Sequence, residues 1–534
     1  MGNDEIKKVK AIKYYSDLRS VKTSTSNFDH DKLKEQVKLT ITINNCNPNT
    51  KYQFSASILM GNQKYKLLNS NTQNPNEKGG LTFDHTLVME YFFEKEQMIV
   101  FDLYFISGDN NANTLTFEVK TSLGAIVGSR KSTLTKKISE MVNEIMSIKA
   151  DKLQESKSFL NVQFDINSNI PLDLKEGKNK IFYLITNNQK IYSSEALGDN
   201  GKFTVINIPI NLLTPNFIIS FYDCKKNCVA NIQTTIEQFS NKEFNQNNKI
   251  NIKLSKNRTL ILTNRSFVSI QYTFLDYLQA GVRLGLSIGI DFTGSNGHPY
   301  DFDSLHRTKD PTNPSNPNNT KGPNDYERAI YSCGNIVAYY DYDQLFPVFG
   351  FGAITNPNDT DANMCFNINF QDNPNIYTID NILIEYQKCL QRITFSGPTY
   401  FSPIIKKVIG MINAKNNIYE YQILMILTDG VINDMQETID ALVEGSFLPL
   451  SVIIIGIGDA IFDDMDVLDG DEVPLISSKG VKRMRDLVQF VPFKKYENDE
   501  KKLSAEVLEE IPRQIEEYYS MNNLYPNSLN IPKI

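Results

Sequence analysis

A chain of 534 residues has room for about three domains, and 41% hydrophobic with 22% charged residues is the make-up of a soluble globular protein. Its 55 basic residues against 62 acidic ones give a formal net charge of -7, which excludes the overall basic footprint of a nucleic-acid binder. An anionic membrane would also repel the chain on average, unless local Lys/Arg patches or a bridging cation intervene. Six cysteines are too few for a disulfide scaffold, and no apolar run reaches the roughly 18 residues of a spanning helix, the longest lying within Leu448–Gly458. The opening MGNDEIKKVK lacks the apolar core of a secretion signal. Its Met-Gly start begins a myristoylation pattern, but Ile6 stands where Ser or Thr is wanted. The expectation is a chain that is cytosolic or peripheral to a membrane.

Short alternating runs dominate up to about residue 260 and predict strands at Lys38–Ile43, Tyr52–Met60, Met98–Ile106 and Thr114–Thr121. A second set follows at Phe159–Ile166, Lys180–Thr186, Phe203–Ile210, Asn216–Asp223 and Lys249–Ser255. Two blocks of evenly spaced strands predict two all-β sandwiches, over 35–138 and 155–258. Ser139–Leu153 reads as a connector between them. After residue 280 the pattern alternates between strand and helix. Val282–Ile290, Leu345–Ala353, Tyr421–Gly430, Pro449–Gly458 and Arg485–Phe493 read as strands. Asp325–Asp341, Asn381–Ile393, Ser402–Ala414, Met435–Ser446 and a long polar helix over Lys501–Tyr519 read as helices. Strands apolar on both faces and separated by helices predict a doubly wound, mainly parallel α/β sheet, here over 265–523. Ligands of such sheets bind at the carboxyl ends of the strands, where the strand order switches direction.

Two of the buried strands end in an acid. The first runs into DFTGSNG, with Asp291, Thr293 and Ser295 at alternate positions, and the second into LTDG with Asp429; between them SGPTYFSP places Thr399 at a helix entrance. Two carboxylates and three hydroxyls on neighbouring loops form an all-oxygen pocket, the donor set that hard cations such as Mg2+ or Mn2+ prefer. Neutral hydroxyls leave such an ion electrophilic, and the acids can act behind them by orienting the hydroxyls. The competing reading is that Asp291 and Thr293 cap a helix and Asp429 closes a turn.

The same residues resemble the metal-ion-dependent adhesion site of a von Willebrand factor A domain, and more closely that of the copine family. The resemblance extends through SLH (Ser304–His306), FPVFGFGA (Phe346–Ala353), GPTYFSPII (Gly397–Ile405), ILTDGVINDM (Ile426–Met435), MDVLDGDE (Met465–Glu472) and RDLVQFVPF (Arg485–Phe493). It implies two C2 domains before the A domain, with Asp291, Thr293, Ser295, Thr399 and Asp429 as metal-site residues. It further implies calcium-dependent phospholipid binding, with Ca2+ held by the C2 domains, recruitment of partner proteins that offer an acidic residue to the A-domain metal, and a part in calcium responses and membrane trafficking.

The sandwich loops depart from that pattern. A Ca2+ site needs several carboxylates, yet NNCNPNTK (Asn44–Lys51) has none, Phe105 stands where an aspartate would be expected, and Asp109 is isolated. In the second block Asp223 is a lone remnant, with Lys225 and Asn231 in place of further acids. Lipid contact would then fall to basic groups such as Lys64, Lys66, Arg130 and Lys131, unless these merely solvate the surface; a scaffold without a lipid role is the alternative. Cys224 and Cys228 lack the partners of a zinc site and read as free thiols. The acidic stretch Asp459–Glu472 lacks an EF-hand register and reads as a solvated loop. No phosphate loop and no nucleophile–base pair is present, so no catalytic residue and no enzyme activity are expected.

Overall fold

In the computed structural model the described residues run from 35 to 529. The stretches 108–112, 154–156, 167–181, 194–205, 223–227, 241–248, 254–258, 310–312, 316–321 and 471–472, and positions 188, 211–212, 214–215, 314, 342 and 528, lie outside them. The pattern KLTITI becomes the strand Glu35–Asn44 because its alternate residues Val37, Leu39, Ile41 and Ile43 bury together on one face. One antiparallel sheet runs Leu81–Thr82, Glu35–Asn44, Ile145–Lys152, Thr133–Lys137, with Leu87–Tyr91 also on the first long strand. A second runs Gln63–Asn69, Lys51–Met60, Met98–Ser107, Asn113–Ser122. The stretch expected as a connector is therefore corrected. Met146, Ile148 and Ala150 bury in alternation, and Ile145–Lys152 pairs along Glu35–Asn44, so this sandwich extends beyond residue 138 to Lys152.

The described residues divide into two units, those from 157 to 272 forming one and those from 35 to 153 with 273 to 529 the other. In the 157–272 unit, Lys157–Val162 pairs with Ile206–Pro209 and Phe267–Gln271, and Phe182–Asn187 lies between Gln189–Ser193 and Asn216–Tyr222. A third sheet joins Phe164–Ile166, Thr259–Asn264 and Lys249–Lys253. Its core gathers Leu160, Val162, Phe164, Tyr183, Phe217, Ile219, Phe221 and Leu262. The strands Thr259–Asn264 and Phe267–Gln271 carry this all-β unit past residue 258, and they take residues 265–271 from the α/β part expected to begin there.

The α/β sheet runs Phe366–Asn367, Leu345–Phe351, Arg283–Asp291, Glu420–Thr428, Leu450–Gly456, Val488–Pro492. Its last five strands are parallel, and Asn375–Tyr377 joins antiparallel at Leu345–Phe351. Successive residues of Glu420–Thr428 are buried on both faces from Tyr421 onward, which only a sheet covered by helices on both sides allows. Helices Ser402–Lys415 and Met435–Gly445 share one core with Leu424, Ile426, Val452 and Ile454. The chain leaves Arg283–Asp291 toward Leu345–Phe351 on one side and later returns as Glu420–Thr428 on the other. The strand order thus reverses at the carboxyl end of Arg283–Asp291, where Asp291 stands. Two local expectations change. The acidic stretch contains the helix Asp463–Asp469, because Met465 and Leu468 reach the core. The long polar helix is two, Glu500–Leu508 and Ile511–Met521, since Pro512 lacks the N–H that a continuous helix needs and fits a first turn instead.

The first sandwich and the α/β part belong to one unit, and the helix Leu123–Gly128 of the sandwich lies against Tyr339 and Tyr340 at the end of helix Asp325–Ala338. Tyr91 and Tyr340 hydroxyls meet at 2.7 Å, and Phe93 packs on Phe274 and Tyr340 with ring centroids 5.1 and 4.9 Å apart. Nearby, Lys152 Nζ donates to Asp276 Oδ2 at 2.7 Å and to Thr273 Oγ1 at 2.9 Å, and the Phe274 N–H donates to Glu516 Oε1 at 2.7 Å. Burial, with Glu35 close by, pushes the Glu516 carboxyl up to about 8. Because the folded-state value is raised, wild-type stability falls as the pH climbs from the ordinary Glu range through about 8. Glu516→Gln should therefore raise the melting temperature over wild type by several degrees at pH 9 and by little at pH 5. An equal shift at both pH values in thermal melts would refute the charged-acid account.

Candidate metal centre

Asp291 ends the central strand fully buried, and its carboxylate is spent on holding hydroxyl groups. Its Oδ1 accepts from the Thr293 N–H at 2.8 Å and from Thr293 Oγ1 at 2.6 Å, and its Oδ2 accepts from Thr428 Oγ1 at 2.7 Å. Thr428 is the last residue of the neighbouring strand, so one carboxylate ties two strand ends together. Ser295, exposed at the rim, donates to Asp429 Oδ1 at 3.0 Å. Thr293 Oγ1 and Ser295 Oγ lie 3.0 Å apart. With their hydrogens turned back onto carboxylates, both oxygens keep lone pairs for a further partner.

A second layer fixes this loop. The buried Asn296 donates to the Thr293 carbonyl at 3.3 Å and accepts from the Tyr326 hydroxyl at 2.7 Å. His306 Nε2 contacts the Asp291 carbonyl at 2.7 Å and Nδ1 the Tyr386 hydroxyl at 2.6 Å. A carbonyl only accepts, so Nε2 carries the proton; in the neutral ring that burial favours, Nδ1 then accepts from the Tyr386 hydroxyl. Burial among rings holds its pKa down to about 3; Tyr326 stacks on it at 4.0 Å and Phe292 at 5.2 Å. Gly352 (φ +77) is the one residue that fits behind the loop, because a Cβ there would stand 2.3 Å from Thr293 Cγ2.

Thr399 arrives on the third loop. Ser396 runs beside Thr293, and its carbonyl accepts the Gly294 N–H at 2.7 Å. The Thr399 N–H donates to Asn433 Oδ1 at 2.9 Å while its carbonyl accepts the Asn433 N–H at 2.9 Å. Asp434 accepts the Phe401 and Ser402 N–H groups at 3.0 and 2.9 Å, fastening the start of helix Ser402–Lys415. The structure thus gathers all five expected residues on adjoining loops at one sheet edge. Sequence reasoning missed Thr428, Asn296, Tyr326, Tyr386 and Asn433 as their supports; of these, Thr428 and Asn433 flank Asp429 within one motif, while the tyrosines carry no local signal.

The donor set fits a small divalent ion. Among the described residues no group of three or more His, Cys, Asp or Glu side chains is placed to hold a metal, so the oxygens on offer here are hydroxyls together with two carboxylates. The Thr293–Ser295 oxygen separation of 3.0 Å matches the ~3.0 Å between neighbouring corners of an octahedron with ~2.1 Å metal–oxygen bonds. Among the described residues neither carboxyl has an ion-pair partner: burial and the neighbouring Asp291 push Asp429 up to about 7, and burial raises Asp291 against the hydrogen bonds from Thr293 and Thr428.

Residues 318–527 match the Copine family model. The chain carries a copine domain. The matched span includes Thr399 and Asp429, whereas Asp291, Thr293 and Ser295 precede it. With the all-β part ahead of it, this gives the expected multidomain order of all-β sandwiches followed by a doubly wound α/β part. Among solved structures, the paired C2 domains of Extended-Synaptotagmin 2 are 11% identical, covering 46% of this chain and 98% of that one at a TM-score of 0.18. The manganese-loaded TRAP protein of Plasmodium vivax is 14% identical over 40% of this chain and 70% of that one at 0.24. Proximal thread matrix protein 1 from the mussel byssus, with a zinc-occupied MIDAS motif, is 14% identical over 42% and 46% at 0.24. At these TM-scores the likenesses are too loose to bear on function.

Ahead of the copine domain, Phe105 is a core residue, edge-on to Tyr52 at 4.8 Å and beside Phe117 at 5.0 Å. Lys64 bonds Asp102 at 3.1 Å and also Glu118, so its charge is matched within its own sheet. Lys66, Arg130 and Lys131 are exposed. Asn231 is exposed on the strand Cys228–Thr235. Asp223, Lys225, Cys224 and Asp109 lie outside the described residues. No helix among the described residues is long and apolar enough to cross a membrane.

Proposed function

We propose that the chain is a copine-type adaptor that holds partner proteins through a divalent ion at the edge of its α/β sheet and brings them to membranes. The observation that carries this reading is the Thr293–Ser295 oxygen pair, backed by two buried carboxylates that take its hydrogens. Thr293, Ser295 and Thr399 would offer hydroxyl oxygens to Mg2+ or Mn2+, with Asp291 orienting Thr293 and Asp429 orienting Ser295. Such an ion supplies an electrophilic face for the acidic side chain of a partner. The shell of His306, Asn296 and Tyr326 keeps the hydroxyls from rotating away. The chain would work in calcium responses and membrane trafficking, peripheral at cytosolic faces such as the plasma membrane.

Calorimetric titration of the whole chain with Mn2+ should give one saturable site, and absence of uptake for both Mn2+ and Mg2+ at millimolar concentration would remove the adaptor mechanism. The lipid role rests on the sandwiches. The core position of Phe105 and the pairing of Asp102 with Lys64 favour a second reading there, a scaffold whose first C2-like domain has no calcium cup. Co-sedimentation with anionic vesicles separates the two. Pelleting that needs Ca2+ supports the calcium-dependent form, and no pelleting at low salt supports the scaffold.

A further inference from the structure

We infer that Asn433 is a positioning residue for the metal centre, setting Thr399 in place without touching the ion; this rests on the divalent-ion reading above. Asn433 lies four residues beyond Asp429, on the loop that follows the second strand-end acid. It grips one residue of the other loop twice: its side-chain oxygen takes the Thr399 N–H and its own N–H donates to the Thr399 carbonyl, each at 2.9 Å. Two bonds to one residue fix both its distance and the rotation of its peptide, and so the direction in which its Cβ and hydroxyl leave the backbone. The next residue, Asp434, clamps the Phe401 and Ser402 N–H groups and accepts from Thr438 Oγ1 at 3.1 Å, so the grip is anchored on helix Met435–Gly445. The third hydroxyl is thereby held in register with the second carboxylate.

Asn433 is exposed although its bond is made at the site. Its side chain is not needed to fill a core, so its removal tests position rather than folding. Loss of a partner that orients a ligand typically costs 10–100-fold in metal affinity. Asn433→Ala should therefore weaken Mn2+ binding to the whole chain at least tenfold by calorimetry, with the melting temperature in EDTA unchanged within about 2 °C. Asn433→Asp keeps an acceptor for the Thr399 N–H and should return the affinity to within about threefold of wild type. Wild-type affinity in Asn433→Ala overturns the inference and leaves the metal centre standing. Equal weakening in both variants overturns it as well, since the acceptor would then not be what matters. No Mn2+ uptake by the wild-type chain overturns both the inference and the reading beneath it.

Discussion

Asp429→Asn is expected to abolish Mn2+ uptake and, in the absence of metal, to stabilise the protein. The two effects have one cause. Asp429 is buried, faces the charge of Asp291 and has its pKa pushed up to about 7 from the ordinary Asp range. Wild-type stability therefore declines as the pH rises above that ordinary range, and the loss is complete once the pH passes about 7. Asparagine keeps an oxygen to accept the Ser295 hydrogen but carries no charge. Its advantage over wild type in EDTA should be small at pH 4.5 and about 1–3 kcal/mol at pH 8, several degrees in a thermal melt. With saturating Mn2+ the order reverses. Wild type gains from binding, by about 2.7 kcal/mol at a hundred times the dissociation constant, and the variant gains nothing. A variant less stable than wild type in EDTA at pH 8 would mean that the carboxylate is structural, like a helix cap, and not held ready for a cation.

Much of this centre was legible in the sequence, because it depends on spacing along the chain. Strands buried on both faces that run directly into Asp291 and Asp429 place both acids at one sheet edge, and the alternation of Asp291, Thr293 and Ser295 sets three oxygens on one loop. What holds them was not legible. His306 meets Tyr386 across 80 positions and Asn433 meets Thr399 across 34, and neither pairing leaves a local pattern. The strand Ile145–Lys152 was missed for a different reason. Its alternating residues Met146, Ile148 and Ala150 follow SEMVNE (Ser139–Glu144), where apolar residues do not alternate with polar ones, so the whole stretch looks like a linker until its pairing with Glu35–Asn44 is known. The long C-terminal helix was read through Pro512, where the ring itself gave the break.

Gly128→Ala should destabilise the protein, against the preference of helices for alanine. In an open helix the change would stabilise by up to about 1 kcal/mol. Here an added Cβ would stand 2.3 Å from the Tyr339 carbonyl oxygen and 3.0 Å from Tyr340 Cα, atoms of a backbone that no rotamer can move aside. The sandwich helix would have to back away from the α/β part, opening the packing of Phe93 on Phe274 and Tyr340 and the Tyr91–Tyr340 hydrogen bond. Overpacking of this kind costs about 1–3 kcal/mol, and the loss of buried contacts adds to it. Gly124→Ala, one turn earlier, meets the Tyr340 hydroxyl at 3.0 Å and the Tyr339 ring at 3.3 Å. Those are side-chain atoms that can shift, so its cost should be smaller. Thermal melts of the two variants therefore carry a ranking as well as a sign, with Gly128→Ala lowest, Gly124→Ala between and wild type highest. A Gly128→Ala chain that melts at or above wild type would show that the first sandwich does not rest on the copine domain through this helix. The two would then move independently, and an acid-bearing partner held at the metal centre would not be fixed relative to the first sandwich.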